Sequence, residues 1–132
     1  MAKIGMIGAG SWGTALAFVL AKNGHEVMVW SALASEIEQL ARQHEHTEKL
    51  PGVTLPETVQ FTADLRKAVQ GMDALVLAVP SMYTRQTANQ MASFAADGQL
   101  VISVAKGIED ETLFTLSKVI KQEIPQCVTA VL

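Results

Sequence analysis

The densest chemical signal in the chain is Gly8-Ala9-Gly10-Ser11-Trp12-Gly13, a GxGxxG pattern. Alone the pattern is weak, because glycines are common in turns. Its setting gives it meaning. The motif ends an apolar run from Lys3 to Gly8 (KIGMIG) and opens a segment, Trp12 to Asn23, whose apolar residues recur at helical spacing. A second apolar run, Glu26 to Trp30 (EVMVW), follows, so the glycines lie inside a strand-turn-helix-strand unit of about thirty residues. There Gly8 permits the sharp turn, Gly10 lets the backbone approach a pyrophosphate, and Gly13 allows close packing of helix on strand. The helix start presents unpaired N–H groups and about half a positive charge to a bound diphosphate. The implied ligand is a dinucleotide, NAD or NADP.

A dinucleotide site of this kind reads the adenosine ribose at the end of the second strand, roughly 20 residues beyond the glycines, with an acid for a 2′-hydroxyl or an arginine for a 2′-phosphate. Here the chain reads Trp30-Ser31-Ala32-Leu33. Neither acid nor base stands there, and Ser31 suits a 2′-hydroxyl or a 2′-phosphate alike. With nothing positive to pair with a dianion, the residues tilt toward NAD(H).

Other chemistry is poorly supported. His44, Glu45, His46 and Glu48 have no further ligand to complete a metal set and read as a solvated polar loop. Ser81, the histidines and the scattered aspartates form neither a nucleophile elbow nor a triad order. Met72, Met82 and Met91 read as gap-filling core or helix residues. Cys127, within an apolar strand, reads as a small buried hydrophobe rather than a reactive thiol.

The elements that must hold the motif follow from the rest of the pattern. Ala34 to Gln43 is amphipathic through Ile37, Leu40 and Ala41, and His44 to Pro56 reads as a loop. Val59 to Phe61 is a short strand candidate, with Thr62 capping a helix from Ala63 to Val69 that Gly71 ends. Ala74 to Val79 is an apolar strand ended by Pro80, Met82 to Phe94 a helix, Leu100 to Val104 a strand, Leu113 to Glu123 a helix and Gln126 to Leu132 a last strand. Strands alternating with helices, and apolar on both faces, imply an α/β doubly wound parallel sheet with helices on each side, a Rossmann-type dinucleotide-binding domain over residues 1–132.

Composition sets the bounds. The 132 residues carry 10 basic and 13 acidic side chains, a formal charge of −3, and 49% are hydrophobic. That suits one well-cored domain, and the absence of a basic face argues against nucleic acid as a partner. The single cysteine fits a reducing, cytoplasmic setting. No apolar run approaches the ~20 residues of a membrane span, and the N-terminus lacks a signal-peptide core, so neither membrane insertion nor export is expected.

With these residues in view, the chain resembles the N-terminal domain of bacterial NAD(P)-dependent glycerol-3-phosphate dehydrogenase. The resemblance is carried by Ile7-Gly8-Ala9-Gly10-Ser11-Trp12-Gly13-Thr14-Ala15-Leu16-Ala17, by Asn23-Gly24-His25-Glu26-Val27 with Trp30, by Leu50-Pro51-Gly52-Val53-Thr54-Leu55-Pro56, by Leu77-Ala78-Val79-Pro80-Ser81 and by Ser103-Val104-Ala105-Lys106-Gly107-Ile108-Glu109. It implies that Ser11 and Trp12 contact the cofactor's diphosphate side, that Pro80 borders the cofactor, and that Lys106 lies near nicotinamide and substrate. A lysine following a strand at the ligand-binding edge of such a sheet complements a phosphate or polarises a carbonyl.

The resemblance further implies hydride transfer between dihydroxyacetone phosphate and sn-glycerol 3-phosphate, a step feeding phospholipid synthesis, and it allows a homodimer of the full-length protein. No residue of this chain matches the family's general acid/base, a lysine in a helical second domain expected to begin soon after the last strand. The chain also departs from the family. Ala32 and Leu33 stand where a His or Arg is usual, and His46-Thr47-Glu48-Lys49 replaces an Asn and Tyr ahead of the Leu-Pro-Gly loop.

Two other readings share the dinucleotide fold. One is a nucleotide-sensing regulatory domain without chemistry, against which Lys106-Gly107-Ile108-Glu109 and the missing ribose acid speak. The other is the cofactor domain of a different two-domain hydroxy-acid dehydrogenase.

Overall fold

Alternate residues of each strand face opposite sides, so a strand that is apolar throughout must be covered twice. The computed structural model, which describes all residues 1–132, meets that demand with six parallel strands. They are β1 (Lys3–Ile7), β2 (Glu26–Trp30), β3 (Gln60–Thr62), β4 (Ala74–Leu77), β5 (Leu100–Ser103) and β6 (Val128–Val131). Their spatial order is β3-β2-β1-β4-β5-β6, every neighbouring pair parallel. This is the doubly wound order, with the topological switch between β1 and β4.

The helices are α1 (Ser11–Lys22), α2 (Ala34–Gln43), α3 (Leu65–Val69), α4 (Thr84–Met91) and α5 (Leu116–Glu123). On one face Ala17 and Ala21 of α1 and Ile37 and Leu40 of α2 pack on Ile4, Met6, Val27, Val29 and Val76. On the other, α3, α4 and α5 bring Ala68, Ala88, Met91 and Ile120 against Ile7, Trp30, Leu75, Leu77 and Val101. The alternation of Met6 with Ile7, and of Val76 with Leu75 and Leu77, is the period-two pattern that the apolar runs require. α3 lies so close to β1 that a Cβ on Gly5 would stand 1.9 Å from the Ala68 carbonyl oxygen.

Several element ends differ from the sequence reading. Thr62 closes β3 and accepts from the Asp64 N–H, while Asp64 caps α3 by accepting from the Arg66 N–H. α3 therefore starts at Leu65. The helix expected from Met82 to Phe94 begins instead with a single 3₁₀ turn, Ser81–Tyr83, closed by Tyr83 N–H on the Pro80 carbonyl, and Met82 is exposed rather than packed. α5 starts at Leu116 because Leu113 has φ 61°, outside helical space, and Thr115 accepts from the Lys118 N–H. Cys127 is buried as expected but precedes β6, and burial pushes its thiol pKa up. No helix is long and apolar enough to cross a membrane.

Candidate nucleotide site

The site grows from the end of β1. Gly8 leaves the strand with φ 126°, a conformation that favours glycine. A Cβ there would also lie 2.7 Å from the Ala78 carbonyl carbon and oxygen, so the turn presses directly on the segment after β4. Gly10 is the N-cap of α1 and has no side chain with which to cap it. The first-turn N–H groups are thus left open to a ligand. Gly13 fixes the angle of the helix, since its own Cβ would meet the Gly8 carbonyl oxygen at 2.2 Å. Thr14, which the motif reading passed over, ties the loop shut: its N–H donates to the Gly10 carbonyl at 2.9 Å and its hydroxyl to the Ala9 carbonyl at 3.2 Å.

A Cβ on Gly10 would meet nothing within 4 Å. The space above it is open, bounded by an uncapped helix N-terminus, and suits a diphosphate held by main-chain N–H groups. Ser11 and Trp12 are exposed in the first turn, Trp12 at 69%. Across the switch point, the Ala78 N–H donates to the Ile7 carbonyl and the Val104 N–H to the Leu77 carbonyl, which aligns the ends of β1, β4 and β5. Pro80 is exposed just past β4, and Lys106 just past β5. The residues at this crevice therefore fit a dinucleotide.

Lys106 is exposed and its ammonium forms no ion pair. The loop that carries it is held from below. Arg85 of α4 forms a fork with Glu109, Nε to Oε2 at 2.7 Å and Nη2 to Oε1 at 2.8 Å, and its Nη1 donates to Glu123 at the end of α5 at 2.7 Å. The fork, with a further bond from Thr112, holds the Glu109 carboxyl down at about 2, and the two carboxylates raise Arg85 above the ordinary arginine value. Sequence reading missed Arg85, whose partners lie 24 and 38 residues away.

The end of β2 corrects the sequence reading most. Ser31 is buried, its hydroxyl donates to Glu36 Oε1 at 2.6 Å and it accepts from the Leu33 N–H at 3.1 Å. Glu36 Oε2 is bonded in turn to His46 Nε2 at 2.9 Å, and Lys49 Nζ stands 3.7 Å from the same oxygen. Charged side chains of both signs thus gather where the linear sequence has neither. Burial works to raise the Glu36 pKa, but the bonds from Ser31 and His46 and the charge of Lys49 overcome it and hold the carboxyl low. The Lys49 N–H donates to His46 Nδ1 at 3.2 Å, so the neutral ring carries its proton on Nε2 and donates to Glu36.

The loop from His44 is accordingly not simply solvated. His46 is 2% exposed, and His44 meets the Phe61 ring edge to face. The loop also reaches the glycine turn, where the Ser11 hydroxyl donates to the Lys49 carbonyl at 2.9 Å.

Residues 3–132 match the family described as NAD-dependent glycerol-3-phosphate dehydrogenase N-terminus. The chain belongs to that family. It is 54% identical to the glycerol-3-phosphate dehydrogenase [NAD(P)+] of Agathobacter rectalis over all 132 residues, and 48% identical to one from Lactobacillus delbrueckii subsp. bulgaricus over 124 residues, 94% of this chain. It spans only 39% and 36% of the lengths of these curated relatives. Among solved structures, glycerol-3-phosphate dehydrogenase from Coxiella burnetii superposes with a TM-score of 0.92 at 29% identity, over 98% of this chain and 40% of that one.

Proposed function

We propose that this chain is the NAD(P)(H)-binding half of an enzyme that interconverts dihydroxyacetone phosphate and sn-glycerol 3-phosphate. The observation that carries the reading is the open space above Gly10 at the uncapped start of α1, beside the β1/β4 switch point. The names of its relatives support the substrate pair. Gly8, Gly10 and Gly13 shape the diphosphate cradle, the first-turn N–H groups at Ser11 and Trp12 hold its charge, Ser31 orders the ribose end through Glu36, and Pro80 walls the crevice opposite Gly8.

When bound, the nicotinamide supplies the hydride that reduces the ketone. Lys106 then has two tasks suited to an exposed, unpaired ammonium: attracting the substrate phosphate and stabilising charge that develops on the carbonyl oxygen. The proton that completes the alcohol comes from a lysine of a helical domain following residue 132. That domain would also cover the exposed Val128, Val131 and Leu132. In this reading the enzyme works in the cytoplasm and feeds glycerophospholipid synthesis; a single cysteine, Cys127, without a disulfide partner supports the reducing setting.

A thermal melt of the chain with millimolar NADH or NADPH tests the cofactor site. Binding to the folded state alone raises the midpoint by mass action. A folded chain whose midpoint moves with neither cofactor refutes the reading.

A further inference from the structure

In a doubly wound dinucleotide fold the ribose is read at the end of the second strand. Here positions 31 to 33 contribute no charge, and folding imports two charged groups instead. Glu36 uses both carboxylate oxygens in short inward bonds, to Ser31 at 2.6 Å and His46 at 2.9 Å, and its side chain is only 12% exposed. A carboxylate so satisfied is poorly placed to take a further 2′-hydroxyl. Lys49 is the opposite case. Its main chain is fixed, the carbonyl by Ser11 and the N–H by His46. Its ammonium has three donors, one loose contact to Glu36 at 3.7 Å, and a side chain 46% exposed.

We propose that Lys49 is the residue by which this chain recognises NADP(H), its ammonium pairing with the 2′-phosphate at the end of β2. The proposal rests on the nucleotide-site reading above. Glu36 acts as a positioning residue: drawn inward by Ser31 and His46, it keeps the Lys49 head at the ribose end and away from the diphosphate turn that the Lys49 carbonyl touches. Positions 32 and 33 carry no basic side chain, and of the two basic groups that meet Glu36, His46 is buried and Lys49 is exposed. It also reverses the tilt toward NAD(H) suggested by the linear sequence. A lysine reads phosphate as a point charge without a bidentate fork, so the selectivity is modest and sensitive to salt.

The experiment is a fluorescence titration of the chain with NADPH and with NADH, for wild type, Lys49→Gln and Lys49→Arg, at low and moderate ionic strength. Far-UV circular dichroism checks the fold of each variant. Competition by adenosine 2′,5′-bisphosphate against 5′-AMP isolates the ribose end. The expected result is that Lys49→Gln weakens NADPH and the bisphosphate about tenfold, the worth of one charge-assisted contact, while NADH and 5′-AMP are nearly unchanged. Lys49→Arg retains NADPH, and added salt narrows the gap between wild type and Lys49→Gln. Equal weakening of NADPH and NADH, or of neither, overturns the proposal alone. A wild-type chain that binds neither cofactor overturns the nucleotide-site reading and this proposal with it.

Discussion

A Cβ on Gly13 would stand 2.2 Å from the carbonyl oxygen of Gly8. The two glycines therefore act as a pair: one turns the chain off β1, and the other lets α1 settle onto that turn. Gly10, between them, has no such neighbour. The motif thus divides into residues needed by the fold and one needed by the ligand. Gly13→Ala forces the turn apart and costs about 1–3 kcal/mol of overpacking, read as a lowered melting midpoint. Gly10→Ala costs less than about 1 kcal/mol as an N-cap change. Its methyl group instead enters the cradle, and the variant loses the midpoint rise given by NADH. A Gly10→Ala variant that keeps this rise refutes the division.

Arg85 predicts a second effect, on the loop that carries Lys106. Its fork to Glu109 and its bond to Glu123 join the loop to α4 and α5. Arg85→Ala releases the segment from 105 to 115, and amide exchange there rises while exchange in β1 and β4 stays as in wild type. Acid should act on the same contact. The Glu109 carboxyl lies at about 2 in the folded chain against an ordinary 4.5. A depressed carboxylate contributes stability that is complete above its unfolded value and lost as pH falls through its folded one. The ordering of the loop therefore declines between pH 4.5 and 2 in wild type, and a pH series of amide exchange on Arg85→Ala lacks that dependence.

The readable parts of this chain are those whose causes are local. β2 and α2 occupy the spans their apolar periods predict, Glu26 to Trp30 and Ala34 to Gln43, because one pattern decides each. The glycine turn was legible because a diphosphate cradle needs those residue types at that spacing. The start of α4 was not, since Pro80 sets a 3₁₀ turn that the apolar pattern does not report. The role of Gly5 was hidden for a different reason: the Ala68 carbonyl that fills the space of its missing side chain arrives from α3, far along the chain from β1. The ribose end was hidden most completely. Ser31, Glu36, His46 and Lys49 meet only after the loop from His44 folds back over α2. Read in line, that loop is polar and unpatterned.

Glu36 carries a third prediction. Its carboxyl is held low against the opposing effect of burial, chiefly by its bonds to Ser31 and His46. By the same linkage its contribution is complete above the ordinary carboxylate range and is lost as pH falls through the lowered folded value. Glu36→Gln keeps the shape but gives up the charge-assisted bonds, a loss of about 1–2 kcal/mol at neutral pH. The difference in melting midpoint between wild type and Glu36→Gln should shrink as the pH falls below the ordinary carboxylate range. A difference that is constant with pH assigns the effect to packing alone.

Lys106 carries the last prediction, and it separates structure from chemistry. The side chain is exposed and forms no ion pair, so its removal touches nothing that holds the fold. Lys106→Ala changes stability by no more than about 0.5 kcal/mol. In a longer protein carrying this domain together with the proposed helical one, the same variant removes a positive charge from the position proposed to face the substrate carbonyl and phosphate. Reduction of dihydroxyacetone phosphate then falls about 100-fold, the scale set by losing one preorganised electrostatic donor. The 132-residue chain alone should give no measurable turnover, since the proposed proton donor lies beyond it. Steady-state rates for both lengths, each with and without the lysine, check the assignment. Turnover by the short chain that Lys106→Ala abolishes would move the chemistry into this domain, and an unaffected rate in the longer protein would remove Lys106 from the site.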